Sequence, residues 1–192
     1  MAAISKADFF KLFTAMFDQV SILRIRYAYR FAKDVHRNQK RKEADCGDFR
    51  YFTHPRAVAA ISMQYAMDAD LIIACLLHDV IEDGNDPMDA VEIEFFLGSV
   101  VITTVRRVSK MPKEGFHERF VAHADWRSIW VKMCDRLHNL RTLPQSNPGF
   151  CAKQLKETRE DYLPTFRKMP SMVPPEYRKG AEALLAEIEA FC

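Results

Sequence analysis

Four side chains in this sequence offer the donor atoms that divalent transition metals accept: His54, the neighbours His78 and Asp79, and Asp135. Imidazole nitrogen combined with carboxylate oxygen suits Mn²⁺, Fe²⁺, Zn²⁺ or Ni²⁺ better than Mg²⁺ or Ca²⁺, which prefer oxygen ligands alone. Four such ligands would leave an octahedral ion two open positions for water and substrate. Each residue by itself is more often a hydrogen-bonded structural group, so the metal site depends on whether the fold brings the four together.

Helical spacing gathers acidic groups around His78. In a continuous helix turning by about 100° per residue, Glu82 lies about 40° and Asp83 about 140° from His78, and the apolar side chains occupy the opposite arc. A bound cation is one way to make so many neighbouring carboxylates compatible. A solvated acidic helix end is the alternative, but it does not explain the histidine.

A polar stripe follows the segment that contains Asp135. Lys132, Asp135, Asn139 and Thr142 recur at i, i+3, i+7 and i+10, opposite a mainly apolar face. The stripe would deliver one metal ligand and nearby hydrogen-bonding groups to the same cavity. A simple solvated face is the alternative interpretation.

The basic run at 36–42 is short and lacks interleaved aromatic residues, which argues against a nucleic-acid surface. The charge of the whole chain also argues against nucleic-acid binding, because 28 Lys and Arg against 26 Asp and Glu give a net charge of only +2. Within this run, Arg41 precedes the first candidate ligand and could meet a phosphate or stack its guanidinium plane on a base.

The elements that position these residues are predicted to be helices, so the predicted fold class is all-α. The clearest apolar periodicity covers Ala69–Asp83 and Asp125–Thr142. Val100–Val105 is the best strand candidate, but it continues into helical spacing. The remaining predicted helices are Phe9–Val20, Ser21–Arg37, Pro55–Tyr65, Pro87–Leu97, Ser99–Ser109, Gly149–Lys168 and Pro175–Phe191, with loops at Lys40–Arg50 and Lys110–Gly115.

Length and composition predict one domain over residues 1–192, with about 48% hydrophobic residues to form its core. No apolar run approaches the roughly 20 residues of a membrane span, and charges interrupt the N-terminus, which is unlike a secretory signal. We therefore expect a cytoplasmic protein. Its five cysteines include no CxxC pair, so we expect free thiols rather than disulfides or a zinc cluster.

Sequence motifs around the candidate ligands resemble, in the same order, the (p)ppGpp hydrolase domain of RelA/SpoT homologues, an HD-domain metal-dependent phosphohydrolase family. The similarity spans about residues 27–143, and the short chain resembles the stand-alone small alarmone hydrolases. The motifs are Tyr51-Phe52-Thr53-His54-Pro55, Leu76-Leu77-His78-Asp79-Val80-Ile81-Glu82-Asp83, Val108-Ser109-Lys110 and Asp135-Arg136-Leu137-His138-Asn139-Leu140-Arg141-Thr142-Leu143.

The resemblance implies a helical domain with a core at about 21–169 and flanking terminal helices. It also implies hydrolysis of the 3′-pyrophosphate of an alarmone nucleotide, which releases pyrophosphate and a nucleoside 5′-di- or triphosphate. The implied roles are Mn²⁺ ligands at His54, His78, Asp79 and Asp135, water activation at Glu82 and Asp83, base contacts at Arg41 and Lys42, and nucleotide contacts at Asn139 and Thr142.

Three features depart from the family pattern. Gly84 replaces the usual threonine after Glu82-Asp83, Ser109 replaces the usual threonine between Val108 and Lys110, and the connection from Arg41 to Tyr51 is longer than usual. Because this connection should border the base, both (p)ppGpp and (p)ppApp remain candidate substrates. Two further alternatives are a phosphomonoesterase acting on nucleotides or NADPH, and a nucleotide-binding module without catalytic activity. The intact ligand set and the Glu82-Asp83 pair argue against the second, since a binding protein has no need of a water-activating pair.

Overall fold

A computed structural model describes residues 4–40, 50–83, 88–143 and 147–192, and the side chains of all of these except 83, 88 and 89. Apart from one isolated antiparallel bridge between Lys40 and Arg50, the described chain is all-α, which confirms the predicted fold class. The α-helices are Lys6–Thr14 (α1), Gln19–Val35 (α2), Thr53–Tyr65 (α3), Ala69–Leu77 (α4), Val80–Asp83 (α5), Met88–Leu97 (α6), Ser99–Val108 (α7), Phe116–His123 (α8), Trp126–Arg141 (α9), Pro148–Glu157 (α10), Leu163–Phe166 (α11), Met169–Met172 (α12) and Arg178–Glu189 (α13).

Helix α4 lies at the centre of the core. Its spacing predicts an amphipathic helix, yet every residue from Leu71 to Leu77 is buried. Helices α2, α3, α7 and α9 all pack against it, so its last seven residues have no solvent face. A helix that is apolar on all sides is stable only inside a core. The residues that follow α4 are consequently delivered to the interior.

The predicted helix over Ala69–Asp83 is interrupted at His78 and Asp79, which form a turn between α4 and α5. The imidazole of His78 bonds the Cys75 carbonyl through Nδ1 at 2.8 Å. In a continuous helix that carbonyl would accept from the amide of Asp79. The angles of about 40° and 140° that a continuous helix gives between His78 and Glu82 or Asp83 therefore do not apply, because the helix is broken at His78.

Helix α9 begins at a capping box, in which the Asp125 side chain accepts from the Ser128 amide and the Ser128 side chain accepts from the Asp125 amide. These bonds satisfy amide groups that lack partners within the helix. The indole of Trp130 donates to Ser62 in α3 at 3.1 Å, which ties α9 to α3. Helix α9 is thus fixed at its start and across its buried face.

The predicted helix over Gly149–Lys168 is also interrupted. A π-helical turn, Thr158–Tyr162, separates α10 from α11, and Pro164 follows at the start of α11. Proline has no amide hydrogen to donate, so the regular bonding pattern cannot continue through it. Helix α8 was not predicted from the sequence, and its buried residues are Phe116 and Phe120.

Within the described residues, no helix is both long and apolar enough to cross a bilayer.

Candidate metal centre and adjoining cavity

The four predicted ligands come together at one buried point. His54 lies in the first turn of α3, His78 and Asp79 form the turn after α4, and Asp135 lies within α9. Nε2 of His54 is 3.2 Å from Oδ1 of Asp135, and Nε2 of His78 is 3.0 Å from Oδ2 of Asp79. One donor atom from each of His54, His78 and Asp79 lies within 4.8 Å of the other two. Three helical segments that are distant in sequence therefore converge on one cluster.

The hydrogen bonding of His78 supports a cation at this cluster. Its Nδ1 is bonded to the Cys75 carbonyl, which can only accept, so Nδ1 carries a proton and Nε2 is the nitrogen that can offer a lone pair once it is deprotonated. Nε2 is buried, and although it lies 3.0 Å from Oδ2 of Asp79, it makes no well-oriented hydrogen bond to a described residue. Buried polar atoms are rarely left without a partner. Two imidazoles and two carboxylates fit a divalent transition metal, and Nε2 is directed toward them.

The two carboxylates of the cluster are held by neighbouring side chains. Asp135 accepts from Lys132 at 2.9 Å through one oxygen and from Asn139 at 2.8 Å through the other, while Asp79 accepts from the Tyr51 hydroxyl. Lys132 is only 3% exposed, so the solvated-face interpretation of the polar stripe is wrong for Lys132 and Asp135. Both carboxylates are oriented before any ligand binds.

Electrostatics keep these carboxylates ionised. Burial alone would raise the pKa of Asp135, but Lys132 and the two histidines of the cluster hold it well below its usual range. Burial likewise acts against ionisation of Asp79, and His78 outweighs it, so the pKa of Asp79 is lowered. Anionic oxygens in a buried site attract a cation strongly.

The two histidines of the cluster respond differently to burial. Burial lowers the pKa of His54, although Asp135 acts in the opposite direction. Burial also acts to lower the pKa of His78, but Asp79 and Asp135 outweigh it and raise that pKa to about 9. The carboxylates of the cluster therefore stabilise a positive charge on the protonated ring of His78. A bound metal cation would replace the proton on Nε2.

Glu82 lies beside this cluster, in α5. Its Oε1 accepts from the backbone amide of Lys110 at 2.6 Å. Burial and the charge of Asp79 raise its pKa above the usual value of 4.5. A carboxylate with a raised pKa is suited to general base catalysis. The side chain of Asp83, the other predicted water-activating residue, lies outside the described residues, as do Arg41 and Lys42.

A cavity of about 290 Å³ opens next to the cluster and shares Asp135 with it. Asn139 and Thr142, both predicted to contact the nucleotide, lie on its wall. The complete lining is Lys110, Asp135, Arg136, Asn139, Thr142, Leu143, Phe150, Lys153, Gln154 and Glu157.

Seven residues of this wall were given no role by sequence reasoning, among them Lys110, Phe150 and Lys153. Lys110 belongs to a motif that carried the resemblance, but it was given no role. Phe150 and Lys153 lie on α10, where they share one helix face at i and i+3. The sequence offers no signal for them, because their importance arises only from the position of α10 beside α9.

A pair of cations backs the cluster from the interior. Lys132 lies over the rings of Phe116 and Tyr162, and Arg136 lies over Tyr162 with its guanidinium 4.4 Å from the ring centre. Arg136 also donates to Glu157 at 3.0 Å. The π-helical turn places Tyr162 at this position, so the irregular segment supports the site.

Known proteins resemble this chain in sequence and in fold. A family profile described as HD domain matches residues 28–121, which include His54, His78 and Asp79 but end before Asp135. The bifunctional (p)ppGpp synthase/hydrolase SpoT of Escherichia coli K12 is 36% identical over 160 residues, which cover 77% of this chain and 22% of that protein. A GTP pyrophosphokinase of Streptomyces coelicolor is 35% identical over 162 residues, which cover 79% of this chain and 18% of that protein. The chain thus spans about a fifth of the length of these relatives.

Among solved structures, a metazoan SpoT orthologue described as hydrolysing ppGpp superposes with a TM-score of 0.62 at 23% identity. The superposition covers 87% of this chain and 94% of the other. At this identity the likeness establishes the fold, while the sequence matches establish the relationship. The chain therefore contains an HD domain and is a homologue of the RelA/SpoT (p)ppGpp hydrolase proteins.

Proposed function

We propose that the protein hydrolyses the 3′-pyrophosphate of an alarmone nucleotide, (p)ppGpp or (p)ppApp, in a reaction that depends on Mn²⁺. The observation that carries this proposal is the shared residue Asp135, which belongs both to the cluster of metal donors and to the cavity wall. A phosphate in the cavity therefore lies next to the proposed cation. The matches to SpoT proteins support the choice of nucleotide.

His54, His78, Asp79 and Asp135 would hold the divalent cation. When bound, the cation supplies Lewis-acid polarisation of a phosphoryl oxygen and lowers the pKa of coordinated water. Lys132 keeps Asp135 ionised, and Lys132 and Asn139 together orient it for this role. The Tyr51 hydroxyl orients Asp79 by donating a hydrogen bond to it.

Glu82 is the proposed proton acceptor, in partnership with Asp83. Water attacks the phosphorus bonded to the ribose 3′-oxygen and gives its proton to Glu82. The bond from phosphorus to the 3′-oxygen breaks, pyrophosphate leaves, and the 3′-oxygen takes a proton. The Lys110 amide holds Glu82 in place for the transfer.

The cavity wall would bind the rest of the nucleotide. Lys110 and Lys153 offer two cationic groups to the phosphates, and Phe150 offers an apolar ring beside them. Asn139 and Thr142 are proposed to contact the nucleotide, and Arg41 and Lys42 to contact its base. We infer that the reaction takes place in the cytoplasm, since Cys75, Cys134 and Cys192 are free thiols.

The direct test compares turnover of ppGpp, pppGpp, ppApp, NADPH and GMP with Mn²⁺ and identifies the released phosphate by ³¹P NMR. We expect pyrophosphate from the alarmones and little turnover of NADPH or GMP. Orthophosphate as the sole first product would identify a phosphomonoesterase. No turnover of any substrate would identify a binding module. The His78→Ala protein, purified in parallel, controls for contaminating phosphatases.

A further inference from the structure

The ring of His54 meets a second histidine on the side away from the metal cluster. Its Nδ1 is 2.8 Å from Nδ1 of His138, and the two ring centres are 4.8 Å apart. A hydrogen bond between two nitrogens needs one proton, carried by one ring and accepted by the other. The pair therefore has two possible arrangements between neutral rings, which differ in which Nδ1 carries the proton.

The opposite side of His54 selects between these arrangements. Its Nε2 faces Oδ1 of Asp135 at 3.2 Å and Oδ2 of Asp79 at 3.8 Å. A cation bound there needs the lone pair of Nε2, so the proton of the neutral ring must reside on Nδ1. Nδ1 of His138 is then the acceptor, and His138 carries its own proton on Nε2.

We propose that His138 is a positioning residue for the metal site. By accepting the Nδ1–H of His54, it fixes the tautomer and the ring orientation that present Nε2 of His54 to the cation. Metal-binding histidines generally donate their other N–H to a carboxylate, a backbone carbonyl or water. In this protein the partner is a second imidazole.

The other histidine ligand shows what is unusual about this arrangement. Nδ1 of His78 donates to a backbone carbonyl, that of Cys75, which can only accept. No side-chain substitution at position 75 would remove that acceptor. The tautomer of His54, by contrast, depends on the side chain of His138, so a substitution at position 138 can change it. His138 lies three residues after Asp135 on α9, so one rigid helix supplies both a metal ligand and the group that orients another.

Two substitutions of His138 distinguish loss of the hydrogen-bond acceptor from loss of the imidazole ring. His138→Leu removes the acceptor, while His138→Asn retains one, because the amide oxygen of asparagine can occupy nearly the position of Nδ1. His123→Leu, at an exposed position near the end of α8, is the matched control for loss of a histidine. Affinity for Mn²⁺ is measured by chelator competition without substrate, and the visible spectrum of the Co²⁺-loaded protein reports ligand geometry.

We expect His138→Leu to bind Mn²⁺ about 10- to 100-fold more weakly, as is typical when such a partner is lost. His138→Asn should stay within about threefold of the wild type, by retaining the hydrogen bond, and His123→Leu should equal the wild type. Wild-type affinity in His138→Leu would overturn the inference, and so would equal losses in the leucine and asparagine variants. Failure of the wild type to bind any divalent metal would instead refute the metal site of the proposed function.

A second measurement needs no substitution. Long-range ¹H–¹⁵N spectra of the Zn²⁺-loaded wild-type protein distinguish protonated from bare ring nitrogens. We expect His54 to be protonated at Nδ1 and His138 at Nε2. A proton on Nδ1 of His138 would overturn the inference even if the leucine variant failed to fold.

Discussion

The ligand cluster and the cavity beside it share Asp135 but differ in construction. The cluster is part of the core, since His54, His78 and Asp135 are all less than 10% exposed and come from helices that pack on one another. The far wall of the cavity consists of the more open helix α10, none of whose described residues is buried. Changes in the cluster should therefore affect stability together with function. Changes on the far wall should affect function alone.

Glu82 lies beside the cluster and is bonded to Lys110 of the cavity wall, so it connects the two regions. Its replacement should have the largest effect on activity. Glu82→Gln keeps an oxygen for the Lys110 amide but cannot accept a proton, so kcat should fall by roughly 10²–10⁴-fold. Metal content and stability should not fall, because ionised Glu82 is itself disfavoured by burial. Kinetics and metal analysis of the same preparation measure kcat and the metal content. Loss of the metal would make Glu82 a ligand, and an unchanged rate would remove it from the mechanism.

Lys132 tests whether the cluster is part of the core. Lys132→Met leaves the buried Asp135 carboxylate without its cation, and breaking a buried ion pair on one side costs about 3–5 kcal/mol of unfolding free energy. Urea denaturation measures this loss. Asp135→Ala should also destabilise the protein, since it leaves the buried Lys132 without its anionic partner.

The matched control is the double variant Lys132→Met/Asp135→Asn. It removes both charges, so it should recover most of the stability lost in Lys132→Met. A loss below about 1 kcal/mol in Lys132→Met, the range of exposed ion pairs, would show that the pair behaves as if it lay in solvent.

Lys153 tests the far wall of the cavity. Lys153→Ala removes one of the two cations proposed to contact the phosphates, so KM should rise about tenfold, or about 1.4 kcal/mol, with little change in kcat or stability. The control is Lys156→Ala on the same helix, where the side chain is 72% exposed and pairs with Glu160 at 3.8 Å. Equal KM values for the two variants would show that the substrate does not reach α10.

The dependence of kcat on pH should show the smallest of these effects. If ionised Glu82 accepts the proton, kcat falls as pH drops through its pKa, which burial and Asp79 raise above 4.5. At saturating Mn²⁺, the acidic limb of kcat should therefore lie above pH 4.5, and Glu82→Gln should lack that limb. A limb that persists unchanged in Glu82→Gln would assign it to another group.

Much of the site was predictable because its residues lie on strongly periodic segments. The spacing around Ile72, Ile73, Leu76 and Leu77 predicts the helix that leads to His78, although it extends that helix to Asp83, and the stripe through Asp135 predicts which residues share its face. The helix break at His78 was not predictable in this way, because it accompanies a side-chain bond to the Cys75 carbonyl. The π-helical turn at Thr158–Tyr162 was missed, although Pro164 lies inside the predicted helix Gly149–Lys168 and indicates an interruption there.

The sequence by itself determined the all-α fold class, the types of the donor residues and their positions along the helices. Those features follow from local periodicity, which reports only neighbours within one helix. The tertiary structure decided that α4 is buried on every side, that Lys132 lies in the core beneath Asp135, that α10 forms a cavity wall, and that His138 meets His54. Each of these depends on contacts between helices distant in sequence, and such contacts are set by the packing of whole helices rather than by the spacing of residues within one.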